Sequence, residues 1–505
     1  MAVLEWIRDA FIKLVEGLNQ LLWGDLLVLR FNDGETVFGL SLLVILLIPA
    51  GLYFTFKTRF LPFRLFPQMI RETMSKKKGG DEKSMSGLQA LIVATATRVG
   101  MGNLAGVVAA ISFGGAGSVF WMWVTALVGS STAFIESTLA QIYKEHDPVY
   151  GGYRGGPAYF MDRIRMITKI KGDDIFVNDV AAESDYSSDR QGTHYKRGCG
   201  FRKVGIAFAL SGLLCWAGIS QVVANSVTTS FENAFGIPQI ATAIALVAIS
   251  AIVVLRKDAT VKVLDIVVPV MAGAYFVVTL FVIFSNLSLI PGVFGRIFSE
   301  AFGLRAVAGG GLGAVVMNGV KRGLFSNEAG SGSAPCAAAA ADVEHPVSQG
   351  LIQALGVFID TLVICSCSAF LMLLAPEEVI DGLAGMDLLQ AAMGHHMGQF
   401  GVIFIAVVLF LFSFSTFIGV LFYARGNVSY VFGDKPIAQT IFKLFALLML
   451  FIGGIAAYAF VWDLGDLGVG LMTIFNMLAI LPLSGQALRA LKDYEAKRKG
   501  KKSEQ

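Results

Sequence analysis

RVGMGNLAG, from Arg98 to Gly106, returns 224 residues later as RGLFSNEAG, from Arg322 to Gly330, each copy reading Arg, four residues, Asn, one residue, Ala-Gly. The register holds beyond the motif. Gly87, Leu88 and Ala90 fall on Gly311, Leu312 and Ala314, and Phe134-Ile135-Glu136-Ser137 falls on Phe358-Ile359-Asp360-Thr361. Both copies lie in apolar runs, so the repeat is one of membrane segments rather than of soluble modules.

The composition requires a membrane. Of 505 residues, 55% are hydrophobic and 15% charged, and the mean hydropathy is +0.67, more apolar surface than a soluble domain can hide. A net charge of +3 gives no footing for nucleic acid. The cysteines form no disulfide framework, and Cys365-x-Cys367 reads as helix packing rather than a metal site. Charged residues from Glu5 to Glu16 interrupt the first stretch, which excludes a signal peptide. Ile7, Phe11, Leu14, Leu18 and Leu21 recur there at helical spacing and predict an amphipathic helix on the membrane surface or the bundle.

Apolar runs of about 20 residues, the length that crosses a bilayer, predict eleven spans: 36–56, 88–112, 117–142, 204–230, 238–255, 263–285, 307–330, 347–375, 400–423, 436–457 and 464–486. Loops on one side then carry 31 basic residues and those on the other 5. The positive-inside rule puts the N-terminus outside and the C-terminus in the cytoplasm of a bacterial inner membrane. The division is an external N-terminus (1–35), an extra span with a basic cytoplasmic loop (36–87), a first five-helix repeat (88–285) with a cytoplasmic insertion at 163–203, a second repeat (286–486) and a basic tail (487–505). The two motifs are five spans apart, so they cross in opposite senses. An inverted five-helix repeat is the architecture of secondary transporters that bind cargo near the midplane. The fold class expected is therefore an all-α membrane protein with an inverted-repeat core.

Glycines at 100 and 102 lower the cost of leaving the helix, and Asn103 supplies a side-chain oxygen. Unwound backbone of this kind exposes carbonyls for Na⁺ and amides for a carboxylate, and is tolerated at membrane depth only where it lines a cavity. Ser326, Asn327 and Gly330 hold the corresponding places in the second copy. GMGNLAG also fits a dinucleotide fingerprint, but an apolar span rather than a strand leads into it, which excludes that reading. Arg98, Arg322, Glu136, Asp265, Glu328 and Asp360 are expected to face inward and pair as structural or gating ion pairs. Ser415 and Thr416 are hard oxygen ligands or interhelical donors, and Asn225 is open to the same two readings. With no nucleophile–base pair or metal constellation, the sequence points to a carrier and not to an enzyme.

Five blocks, RVGMGNLAGVVAAISFGGAGSVFWMWVTALVG (98–129), GGYRGGPAYFM (151–161), RGLFSNEAGSGSAP (322–335), HPVSQGLIQALGVFIDTLVIC (345–365) and FSFSTFIG (412–419), resemble the sodium:alanine symporters, also called alanine or glycine:cation symporters, from about residue 36 to 486. The resemblance implies import of alanine or glycine on a Na⁺ gradient by a fold like that of the neurotransmitter:sodium symporters. It further implies that the carbonyls of Ala96 and Val99 with Ser415 and Thr416 hold one Na⁺, that Thr97, Gly100, Met101 and Gly102 face the substrate, and that Asn103 matches a ligand of a second Na⁺. Three departures stand out: Met101 replaces the threonine of V-G-T-G-N, the glutamine of V-Q-A-N-S is missing before Asn225, and Phe422-Tyr423-Ala424-Arg425 replaces Y-Y-G-E. They leave the amino acid open. A proton-coupled carrier and a non-pumping amino-acid-binding channel or sensor are the alternatives.

Overall fold

The computed structural model describes residues 2–30, 37–75, 84–99, 101–162, 202–255, 259–303 and 311–503. The insertion expected at 163–203 falls almost wholly outside the described residues, as does Gly100.

Helix α1 (Ala2–Trp23) is followed by the antiparallel hairpin β1 (Asp25–Arg30) and β2 (Val37–Ser41). Next come α2 (Leu42–Lys57) and the short α3 (Leu61–Arg64) and α4 (Phe66–Thr73). A first series follows: a helix in two pieces, α5 (Gly87–Arg98) and α6 (Gly106–Gly114), then the long α7 (Gly117–Ile142). After an excursion through β3 (Glu145–His146), β4 (Tyr153–Arg154) and α8 (Pro157–Met161) come α9 (Arg202–Phe235), α10 (Gln239–Val254) and α11 (Ala259–Ser285). Helix α12 (Ile290–Ala301) leads to a second series. It opens with the pieces α13 (Leu312–Asn327) and α14 (Ala334–Ala340), then α15 (Pro346–Val357), continued by a π-helical turn into α16 (Ser366–Leu373). Helices α17 (Glu377–Ile380), α18 (Gly385–Phe432), α19 (Pro436–Gly453) and α20 (Tyr458–Ser503) complete it. Helix α18 is two arms joined at Gly398, whose φ of 61° breaks the ladder.

Seven described helices are long and apolar enough to cross a membrane, eight if the bent pair α5–α6 counts as one crossing. Helices α2 and α10 are apolar but only 16 residues each. Helix α13 is equally short and carries Lys321 and Arg322. Ile240, Ile244 and Ile252 of α10, Phe281 of α11 and Ile437 and Ile441 of α19 are exposed, as a protein presents to lipid rather than to water. Polar side chains collect inside instead: Arg98, Asn103, Glu136 and Asp360 are fully buried.

The sequence left α1 on the surface or on the bundle; it packs on α20. Asn19 donates to Asp463 O at 2.7 Å and Trp23 Nε1 to Asp466 O at 3.2 Å. The tail expected from residue 487 continues α20, and Tyr494 donates to Glu72 of α4 at 2.6 Å. At the end of α7 a brace closes one side of the bundle: Arg425 of α18 meets Asp147 at 3.0 Å and stacks on Tyr150, and Arg154 pairs with Asp434. Lys144 donates to Ala341 O at 2.7 Å. Burial pushes the Lys144 ammonium down to about 8 while Asp342 pulls the other way.

The two broken helices cross at Gly102. A Cβ there would stand 2.8 Å from both Phe325 O and Ser326 Cα, backbone atoms that cannot move aside cheaply. Gly102→Ala is therefore expected to lower stability by about 1–3 kcal/mol, read as a lower unfolding midpoint in detergent, whereas Gly485→Ala, with nothing within 4 Å, leaves the midpoint unchanged or raised. The bidentate Arg322–Asp466 pair at 2.9 and 3.0 Å is shared by Lys321 at 2.7 Å. Asp466→Ala leaves the buried Arg322 without its carboxylate and takes one from the partly buried Lys321, and is expected to cost about 3–5 kcal/mol in the same assay.

Candidate substrate and ion site

The first break begins with a firmly started helix. Ser86 and Gln89 form a reciprocal capping box at the head of α5, which fixes where its ladder runs. The ladder ends when Val99 adopts φ −76° and ψ 98°, its N–H still bonded to Thr95 O at 2.7 Å. A π-helical turn from Met101 to Ala105 follows, and the axes on either side are bent by 49°. Extended backbone at Val99 takes its carbonyl out of the helical ladder. One turn earlier, Ala96 O receives Thr416 Oγ1 at 3.0 Å and Ser415 Oγ at 3.4 Å, and Thr416 Oγ1 also reaches Thr97 O at 3.4 Å. Ala96, Ser415 and Thr416 are fully buried. The structure thus brings carbonyl and hydroxyl oxygens from α5 and α18 onto one point at the break, a set of neutral hard donors with the chemistry Na⁺ prefers.

The second break is built differently. Glu328 ends α13 in the left-handed region at φ 57°, its N–H capping Leu324 O at 2.8 Å. Gly330 and Gly332 follow at φ 94° and 83°, conformations that glycine takes without strain. Asn327 Oδ1 accepts from Ala329 N at 3.0 Å while its Nδ2 is buried and unpartnered. Gly330 is held from both sides: its N–H donates to Glu136 at 3.1 Å and its carbonyl accepts from Asn476 Nδ2 at 3.0 Å.

The two breaks meet through Asn103 and Ser326. Ser326 Oγ donates to Asn103 Oδ1 at 2.8 Å and lies 2.9 Å from both Thr361 Oγ1 and Cys365 Sγ. Ser368 Oγ donates to Asn103 O at 2.6 Å, and Asn103 Nδ2 is buried without a partner. Cys365 thus sits in this polar knot rather than in plain helix packing. Thr97 turns the other way, its hydroxyl 2.9 Å from Tyr423 OH, which donates to Glu328 at 3.2 Å. Glu328 in turn faces Arg98 Nε at 3.6 Å, and Arg98 binds Asp360 at 2.8 Å and Gln353 at 3.3 Å. A small cavity of ≈ 20 Å³ opens beside this chain, with Glu328, Ser331 and Ser333 on its polar wall and Trp216, Phe325 and Met472 among its apolar ones. It has room for little more than a water molecule.

Of the residues singled out in the sequence, Ala96, Thr97, Ser415 and Thr416 form one group, and Gly102, Asn103 and Ser326 another. Asn225 joins neither by any hydrogen bond: its amide donates to Ala456 O at 2.8 Å and Gly453 O at 3.5 Å, closing the end of α19. Gly100, the Met101 side chain and the Asp265 side chain lie outside the described residues. Sequence reasoning named Tyr423 only within a departure from the family pattern and passed over Gln353, Asp466 and Asn476. The last two carried a usable signal, polar groups within the apolar stretch of one spanning helix, α20.

A family profile described as "Sodium:alanine symporter family" matches residues 27–168 and 189–505. The "Probable sodium/glutamine symporter GlnT" of Bacillus subtilis (strain 168) is 39% identical over 464 residues, 92% of this chain and 89% of that protein. The "Amino-acid carrier protein AlsT" of the same organism is 39% identical over 456 residues, 90% of this chain and 89% of that one. The "Sodium/alanine symporter AgcS" of Methanococcus maripaludis is 32% identical over 496 residues, 97% of this chain and 98% of that one. These matches run the length of the two broken helices, the long apolar helices and the FSFSTFIG segment, and with them the chain belongs to the sodium:alanine symporter family of membrane transport proteins.

Proposed function

We propose that the chain is a Na⁺-coupled symporter importing a small neutral amino acid, alanine or glycine, by alternating access. The observation that carries this reading is the convergence of Ser415 and Thr416 on Ala96 O at a helix break. Thr416 Oγ1 donates to Ala96 O at 3.0 Å, while the Ser415 hydroxyl, 3.4 Å from Ala96 O, makes its shorter bond to Phe412 O at 2.8 Å. If the two hydroxyls rotate, their oxygens and Ala96 O, with the carbonyl of Val99, face a dehydrated Na⁺. Because they come from two helices that have to approach for the site to exist, Na⁺ binding favours one arrangement of α5 against α18. A differential of that kind is what an ion needs to drive a conformational cycle.

The substrate lies alongside, between the two breaks. Thr97, Gly100, Met101 and Gly102 form its first wall and Ser326, Asn327 and Gly330 the facing one, with the unpaired amides of Asn103 and Asn327 as donors for a carboxylate. Asn103 Oδ1, beside Ser326 and Thr361, is the corresponding candidate for a second Na⁺. Asn225 acts from further out, through α19. The relatives named for alanine and for glutamine keep the cargo a neutral amino acid, and Met101 in place of a hydroxyl favours one with little polarity in its side chain.

Eleven spans arranged as an extra helix and an inverted pair of five-helix repeats suit this cycle. The reading is supported by the identical order of elements in both series: a broken helix, a long helix, an excursion and three helices. It requires α2, α10 and α13 to cross despite their 16 residues, which is short of the usual length of about 20. With the positive-inside rule, the N-terminus is external and the C-terminus cytoplasmic.

In proteoliposomes, uptake of labelled alanine or glycine is expected to require an inward Na⁺ gradient, and uptake unchanged when choline replaces Na⁺ would contradict the proposal. Thr416→Ala is expected to raise the Na⁺ concentration for half-maximal uptake about tenfold, the loss of about 1.4 kcal/mol of ligand energy, while the amino-acid dependence at saturating Na⁺ changes little.

A further inference from the structure

The internal repeat makes a statement about charge that the structure does not honour. Arg98 and Arg322 are repeat mates, and so are Glu136 and Asp360. Arg98 pairs with Asp360, across the two halves. The mate of that contact would join Arg322 to Glu136, but Arg322 has turned to Asp466 on α20, where Trp462 covers its guanidinium at 4.2 Å. Glu136 is left fully buried, and no described basic side chain forms an ion pair with it. Its two oxygens are met by N–H groups alone, Gly330 N at 3.1 Å on Oε1 and Asn476 Nδ2 at 2.7 Å on Oε2.

We infer that Glu136 is a proton-binding site, and that the proton it takes from water releases the second broken helix. A buried carboxylate without a cation beside it is costly to keep ionised, and the simplest relief is protonation. The bonds it makes are charge-assisted and strong only while the charge is present. Both lead to Gly330, directly through its N–H and indirectly through Asn476, whose Nδ2 also holds Gly330 O. When a proton adds to one Glu136 oxygen, the carboxylate becomes a neutral acid with a new O–H donor. The Oδ1 of Asn476, buried and unpartnered, is the acceptor within reach of an amide rotation. That rotation takes Nδ2 off Gly330 O, so one proton loosens both holds on the residue at φ 94°. Asp360 differs in its surroundings, since the Arg98 guanidinium forms an ion pair with it at 2.8 Å.

The groups that face Glu136 are few. From α5 comes the charge of Arg98, from the segment after α13 that of Glu328, and from α14 the thiol of Cys336. Helix α20 brings Asn476 and Met477, α2 brings Leu47 and α7 itself Thr132, all neutral around Gly330. Among the described residues no hydrogen bond joins Glu136 or Gly330 to the Ala96, Ser415 and Thr416 cluster, so a proton effect here is separable from Na⁺ binding.

The inference rests on the symport reading only in how it is first read out. At saturating Na⁺, uptake by wild-type protein across about pH 5 to 9 is expected to change by roughly tenfold, as the fraction of one titrating group does over a unit beyond its midpoint. Glu136→Gln, neutral at every pH and still an acceptor for Gly330 N–H, is expected to flatten that profile to within about twofold. A Glu136→Gln profile parallel to the wild type, or a wild-type profile that is flat, would overturn the inference. If Glu136→Gln does not fold, Glu136→Asp decides, a displaced profile supporting the site and a superimposable one refuting it. If the wild type transports nothing, the symport reading fails, and the unfolding midpoint in detergent still tests the proton site. The difference in midpoint between wild type and variant should vary with pH, whereas a purely structural role gives a constant offset.

Discussion

Backbone that leaves a helix inside an apolar bundle has no water to turn to, and every N–H and C=O it frees must be met by the protein itself. The rest of this structure depends on how that requirement is met twice. At the first break the carbonyls of Ala96 and Thr97 are met from α18 by the hydroxyl of Thr416, with Ser415 Oγ 3.4 Å from Ala96 O beside it. At the second break the freed groups are the N–H and C=O of Gly330, and a carboxylate and an amide come from α7 and α20. One solution leaves neutral oxygens that an ion can claim, and the other commits a charge.

The commitment of charge gives the two halves separate tasks. Arg98 sits at the junction of both: it follows Ala96 and Thr97 in α5, and it holds Asp360 of the second series and faces Glu328 at the second break. Arg322, its repeat mate, is withdrawn to α20 and helps fasten the core to α1, since Asp466 binds Arg322 and Lys321 while its carbonyl accepts from Trp23. The 224-residue offset relates the positions of these residues in the sequence. Packing against α20, which carries Asp466 and Asn476, accounts for their different partners.

The breaks themselves were legible. Gly100, Gly102 and Asn103 in one run, and Ser326, Asn327 and Gly330 in the other, are residue types that lower the cost of leaving a helix, and the register between copies told where to look. The hydroxyl pair in FSFSTFIG was also visible, because Ser415 and Thr416 stand in an otherwise aromatic and aliphatic span. The partners were not. Nothing in the spacing says that Arg322 abandons Glu136 for Asp466, since that choice depends on which face of α20 lies nearer. Asn225 was open to two readings in the sequence, since a polar side chain in a span is as useful for closing the end of a neighbouring helix as for touching cargo, and its amide bonds the end of α19. Asn103 turned out to meet Ser326 directly, a contact that no single-copy reading of the motif contains.

The proposed coupling depends on the oxygens gathered at the first break holding Na⁺. A high-resolution cryo-EM map of the purified protein in saturating Na⁺, compared with one in choline, tests it most directly. An added density feature is expected, bounded by the carbonyls of Ala96 and Val99 and the hydroxyls of Ser415 and Thr416, at Na⁺–oxygen distances of about 2.3–2.6 Å as for other hard-cation sites, and lost in choline. Identical maps in the two salts, with Thr416 still donating to Ala96 O and Ser415 to Phe412 O, would contradict it.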